Sequence, residues 1–148
     1  MRGFTALEII VSLAILILLG AMTAGYLSGL KKVITLDGAI ESIISLTREA
    51  KAKTLAPEDG SQFGVRFESS KATLFKGAAY IEGGADNKIY NLPGETEIFN
   101  IGFSGGNLVF KLLTGEPAAT GSVSIRLKTD TANPKTIFIN NAGLIYVE

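Results

Sequence analysis

Between Glu8 and Lys31 the chain carries no charge. Ile9 to Leu30 is an apolar run of roughly twenty residues, enough at about 1.5 Å per residue to cross a bilayer core of about 30 Å. An ordinary secretory signal has a shorter apolar stretch, of about 7–15 residues, followed by a small-residue cleavage site. Here the run is longer, and Ala21-Met22-Thr23-Ala24 behind it is not such a site. The acid at its lip, Glu8, needs a partner, because a charge placed deep in a membrane helix costs about 2.5–3.5 kcal/mol. The next basic residue on its C-terminal side is Lys31, about 35 Å away at helical rise. The partner therefore comes from the start of the chain or from another chain. A cut after Gly3 supplies one: Phe4 becomes an N-terminal ammonium, and Glu8 lies four positions on, about one helical turn away.

These residues carry a family resemblance. Gly3, Phe4, Thr5, Leu7 and Glu8, followed by Ile9-Ile10-Val11-Ser12-Leu13-Ala14-Ile15-Leu16, resemble the start of the type IV pilins and type II secretion pseudopilins. The resemblance implies a prepilin leader at 1–3, cleavage between Gly3 and Phe4 by a prepilin peptidase on the cytoplasmic side, and N-methylation of Phe4. It implies charge pairing of Glu8 with the Phe4 amine of an adjacent subunit. It also implies a pilin-like α+β fold, in which one long N-terminal helix, half membrane segment and half amphipathic, packs against an antiparallel β-sheet. The plain alternative is an ordinary single-span anchor with an incidental acid.

Past Lys31 the helix continues. Val33, Leu36, Ile40, Ile43, Ile44 and Thr47 share one face at three-and-four spacing, with Ile34 and Leu46 off the stripe. Lys32, Asp37, Glu41, Arg48, Glu49, Lys51 and Lys53 form the wet side, and Glu49 with Lys53 is a favourable i,i+4 pair. Pro57 is the stop signal. One helix from about Phe4 to about Leu55, half greasy and half core element, suits bundling with copies better than it suits a monomer. Gly20, Gly25 and Gly29 interrupt the greasy half, and Gly25-x-x-x-Gly29 fits the small-residue packing motif of membrane helices; glycine is also simply common in such segments.

Beyond Gly60 the period changes to alternation. Phe63, Val65 and Phe67, then Ala72 and Leu74 after Ser69-Ser70, predict a hairpin. Gly77 to Gly94 reads as irregular, with short apolar patches at Tyr80-Ile81 and Ile89-Tyr90. Strands follow at Glu97–Phe103, Leu108–Leu112, Val123–Leu127, Thr136–Asn140 and Leu144–Val147, with turns at Asn133-Pro134 and Asn141-Ala142-Gly143. Seventeen glycines suit such a turn-rich body. The organisation expected is a leader at 1–3, a transmembrane and filament-core helix half at 4–30, and an extracytoplasmic α+β domain at 31–148. Val33, Ile40, Ile43 and Ile44 are the helix's expected contribution to the core of that domain.

Composition narrows the chemistry. Lys+Arg and Asp+Glu are 14 each, so no net field draws nucleic acid. With neither cysteine nor histidine in the chain, thiolate metal sites, thiol nucleophiles and imidazole bases are excluded. Glu95 and Glu97 read as a solvated edge rather than a catalytic pair. Asp86-Asn87 and Asp130 with Asn133 are thin as calcium ligands and ordinary as turn residues. No enzyme, cofactor or metal site is expected. Phe103-Ser104-x-Gly106, VSIRL and KTIFINNAGLIYV resemble the H-type minor pseudopilins and related minor pilins. Some of those carry a basic last turn implicated in DNA capture; here that turn is Gly143-Leu144-Ile145-Tyr146 and has no basic residue, against DNA binding.

The function expected is thus that of a structural subunit, minor by this likeness, of a pilus, secretion or competence filament. Its partners are the prepilin peptidase, other pilins or pseudopilins, the inner-membrane assembly platform and the lipid bilayer. Its place is the cytoplasmic membrane with the C-terminal domain outside, then a periplasmic or extracellular filament. The alternative is a minor pilin acting as a ligand-, substrate- or DNA-binding module at a filament tip, through loops such as 77–94 or 115–121.

Overall fold

The computed structural model describes residues 4–56 and 60–148, without the side chains of 22–28. Gly3 and Pro57, both singled out in the sequence, lie outside what is described, and Gly25 is described only as part of the helix backbone. The chain divides into two compact units, Met1–Ile34 and Thr35–Glu148, and one helix, α1 (Ala6–Leu55), contributes to both. Thr5 starts it: the Glu8 N–H donates to Thr5 Oγ1 at 3.3 Å and the Ile9 N–H to the Thr5 carbonyl at 3.3 Å. Threonine at the cap with glutamate three residues later has the spacing of a capping box.

In the second unit, Leu36, Ile40, Ile43, Ile44, Thr47, Ala50 and Thr54 of α1 are buried. Val33, expected in that core, is instead 55% exposed and belongs to the first unit. Leu46, which the single-stripe pattern leaves out, is buried at 5%. Leu46 lies beside Ile89 and Tyr90, with which it lines one hollow; those two residues belong to a stretch where the alternating pattern does not predict a strand.

The strands are β1 (Phe63–Glu68), β2 (Lys71–Lys76), β3 (Lys88–Asn91), β4 (Thr96–Ile101), β5 (Asn107–Val109), β6 (Gly121–Leu127), β7 (Asp130–Ile139) and β8 (Ile145–Val147). The first sheet has the order β3-β2-β1-β5 and the second β4-β6-β7-β8, with every pair antiparallel. Val65, Phe67, Leu74 and Leu108 of the first sheet and Ile98, Val123, Ile125, Ile137 and Ile139 of the second share one core with α1. Phe67 stacks on Phe103 at 5.8 Å between ring centroids. At Gly64 the packing leaves no room for a side chain: a Cβ would stand 2.6 Å from the Leu108 carbonyl and 2.6 Å from Phe75 Cζ.

Three local readings are corrected. The stretch 77–94 holds a strand, β3, where the sequence suggests irregular chain, because Lys88–Asn91 pairs with β2. The strand expected to reach Leu112 ends at Val109, beyond which Phe110 makes an isolated bridge to Pro117. Asn133-Pro134 does not reverse the chain but lies inside β7. Leu127 pairs with Asp130 and Ile125 with Lys135, so residues 131–134 bulge opposite Arg126 alone. The Asp130 carboxylate supports the bulge, accepting the Ala132 N–H at 3.1 Å and Asn133 Nδ2 at 3.0 Å. The Asn140–Leu144 turn forms as read: Asn140 Oδ1 accepts the N–H groups of Ala142 and Leu144 at 3.0 and 2.9 Å.

Candidate functional site

The first turns of α1 set out Glu8 and Ser12 four apart, with Ile9, Leu13 and Leu16 beside them, and Phe4 stands just before the helix on the same side. These six residues line one open, almost wholly apolar hollow of about 360 Å³. Within the helix the spacing does this by itself for Glu8 and Ser12, and for Ile9, Leu13 and Leu16, since residues three and four apart stack on one helix face. The Ser12 hydroxyl donates back to the Glu8 carbonyl at 2.7 Å, which removes it as a partner for the carboxylate. Among the described residues, no ion pair reaches the Glu8 carboxylate. Around the rest of the helix, Leu7, Ile10, Val11, Ile15, Ile17, Leu18 and Leu19 are exposed, so this half of α1 is apolar on all sides and uncovered in the single chain. A helix apolar all round is stable only when surrounded by lipid or by other helices.

Of the three glycines read as packing positions, Gly20 and Gly29 have nothing within 4 Å of where a Cβ would stand. At both positions the helix surface has room for a close approach. Among the described residues, no helix is long and apolar enough to cross a membrane. The apolar run of the sequence includes residues 22–28, whose side chains are not described.

The other candidates are spent on structure. Glu97 accepts Arg126 Nε and Nη2, each at 2.8 Å, and Arg126 stacks 4.5 Å over the Phe99 ring. Glu95 is exposed next to it, so the two acids do not form a buried pair. Asn87 Nδ2 donates to the Ile81 carbonyl at 2.8 Å, an ordinary turn contact. Among the described residues, no three His, Cys, Asp or Glu side chains stand together as a metal site. The last turn does meet a basic group, contributed by the helix: Lys51 Nζ donates to the carbonyls of Ala142 and Gly143 at 3.2 and 2.9 Å. That lysine holds the turn down. Gly143 has φ +67°, and a Cβ there would stand 2.8 Å from the Gly115 carbonyl.

The sequence pair Glu49–Lys53 forms, at 3.3 Å, but the stronger partner is one the sequence does not suggest: Lys88 of β3, at 2.7 Å. The Lys88 ammonium, with lesser help from Lys53, holds the Glu49 carboxyl below the usual carboxylate range against the opposing effect of burial.

One long N-terminal helix whose second half lies under antiparallel sheets is the pilin fold. In structure the chain is similar to the type IV minor pilin FimU of Pseudomonas aeruginosa, with a TM-score of 0.59 at 13% identity over 76% of this chain and 87% of FimU. No family model matches the sequence, and no curated protein matches it.

Proposed function

We propose that this protein is a structural subunit of a type IV pilin-like filament, built into it through the exposed half of α1. The observation that carries the reading is the apolar surface of residues 6–21, uncovered on every side and continuous in one helix with a well-packed body. Bundled copies, or lipid before assembly, supply the missing cover. The likeness to a minor pilin supports the minor rather than the major role. In this reading a prepilin peptidase cuts after Gly3 and methylates Phe4. The helix is held as a single span in the cytoplasmic membrane with residues 31–148 outside. An assembly platform then lifts the subunit into the filament. Gly20, Gly25 and Gly29 allow neighbouring helices to approach closely.

Glu8 has the selective role. Glu8 and Phe4 line the same hollow, and in a filament the Phe4 amine of an adjacent processed subunit neutralises the Glu8 carboxylate. A contact between unlike surfaces, repeated along an axis, yields an open polymer rather than a closed ring. Mass spectrometry of the protein from its native membrane tests the processing: the expected chain starts at methylated Phe4, and a chain starting at Met1 overturns the reading. Glu8→Ala is expected to be processed and folded normally yet absent from sheared filaments; incorporation at the wild-type level rules out the pairing.

A further inference from the structure

In the unit Thr35–Glu148, strand edges differ in how they are covered. Outside β5, the Ala118 N–H donates to the Val109 carbonyl at 2.8 Å. Outside β4, the Ile98 N–H donates to the Ser69 carbonyl at 2.9 Å. The outer edges of β3 and β8 have no such cover among the described residues. On β3, the Leu92 N–H donates to the Ser70 carbonyl at 2.9 Å, and Tyr90 and Lys88 stand opposite Ala72 and Leu74. Antiparallel bonding alternates along a strand, so Lys88 and Tyr90 turn their backbone groups towards β2 while Ile89 and Asn91 turn theirs outward.

Beside this edge, between β3 and α1, lies an open hollow of about 600 Å³. Its α1 wall carries Glu41, Ser42, Ser45 and Arg48, with Leu46 at the base. The two serines keep the wall low. Glu49 is already engaged by Lys88 and Lys53, whereas Glu41 and Arg48 have no ion-pair partner among the described residues. These two opposite charges are two helical turns apart, about 10.5 Å, the span of about three residues of extended chain. An unpaired strand edge is a template for another strand. The comparable hollow next to β8, of about 340 Å³, is smaller and is bordered by Lys51, which is bonded to the last turn.

We propose that the edge of β3 takes up an extended segment of a partner protein as a fifth strand of the first sheet, with a basic side chain of that segment at Glu41 and an acidic one at Arg48. The proposal does not rest on the filament reading, since β3 and its hollow belong wholly to the second unit, and either can fail without the other. The test uses the full chain in detergent micelles and two blocked peptides, TKVTVET and its reverse TEVTVKT, whose charges lie four residues apart on one strand face, about 13.5 Å, within reach of both side chains; strand direction selects which end meets Glu41. Amide hydrogen exchange at Ile89 and Asn91 is expected to slow by at least about tenfold with one of them at about 1 mM. Ile89→Pro removes an outward N–H at an edge position where proline is tolerated, and is expected to abolish the protection; Val147→Pro, on β8, is expected to leave it intact. The double variant Glu41→Lys/Arg48→Glu is expected to exchange the preferred peptide for its reverse. No slowing with either peptide, or slowing that survives Ile89→Pro, overturns the proposal. Protection that grows with protein concentration in the absence of peptide also overturns it, in favour of a second copy of this chain.

Discussion

The two halves of α1 are the same kind of secondary structure made for different surroundings. From Leu36 to Thr54 the apolar residues recur on the face that the sheets cover, and the opposite face is charged. From Leu7 to Leu19 apolar residues occupy every face and all stand exposed. Burial of a Leu- or Ile-sized side chain contributes about 1.5–3 kcal/mol. The second half collects that within its own chain, while the first half can collect it only from lipid or neighbours. The lesson is that α1 has two sources of stability, and substitutions separate them.

The largest separation is expected from a buried charge. Ile43 is fully buried, so Ile43→Asp is expected to cost more than about 4 kcal/mol and to unfold the body, while Ile10→Asp leaves the body's stability within about 0.5 kcal/mol and lowers partition into membranes. Proteolysis and thermal melts of the two variants in detergent check this; a protease-resistant Ile43→Asp body would break the comparison. Next comes the end of the helix. Thr54 Oγ1 donates to the Ala50 carbonyl at 2.8 Å and accepts the Phe63 N–H at 2.9 Å, tying α1 to β1. Thr54→Val strands that N–H and is expected to cost about 1–3 kcal/mol, read as a lower denaturant midpoint.

How legible was this in the sequence? The helix, its length and its two characters were plain, because charge is missing from one half and periodic in the other. The hairpin from Phe63 to Lys76 and the turn at Asn140–Leu144 were plain for the same reason: alternation and turn residues are local signals. The second sheet was not. Whether strands join one sheet or two depends on pairings between distant segments, and so does β3, beside which Leu46 lies. Asn133-Pro134 shows local chemistry acting as expected in an unexpected place, bending a strand instead of ending it. At the candidate site, Phe4 and Glu8 could be singled out by spacing, and Thr5 as the cap was present in the Thr5-to-Glu8 interval. The Lys88–Glu49 contact joins residues far apart in the chain and left no local trace.

Smaller effects sharpen the contrast. Gly20 has open space around it, so Gly20→Ala is expected to favour the helix by about 0.5–1 kcal/mol, seen as increased helicity in detergent, with no change in the melting of the body. The smallest effect is electrostatic. Glu49 titrates below its ordinary value in the folded body, chiefly because of Lys88, so its contribution to stability is present above the unfolded glutamate pKa of about 4.3 and is lost as pH falls through the lower folded value. Lys88→Met is expected to remove at most about 1 kcal/mol near neutral pH and to converge with the wild type in acid, where the carboxyl is protonated in both. Denaturation midpoints at pH 7 and pH 3 measure the difference.

Because α1 is unbroken from Ala6 to Leu55, it also acts as a tether. Tension on its first turns travels along the helix to Ile40, Ile43, Thr47 and Ala50, which are locked beneath the sheets and must yield together. Mechanical rupture is then expected to follow the unfolding rate of the whole body rather than the strength of any single contact.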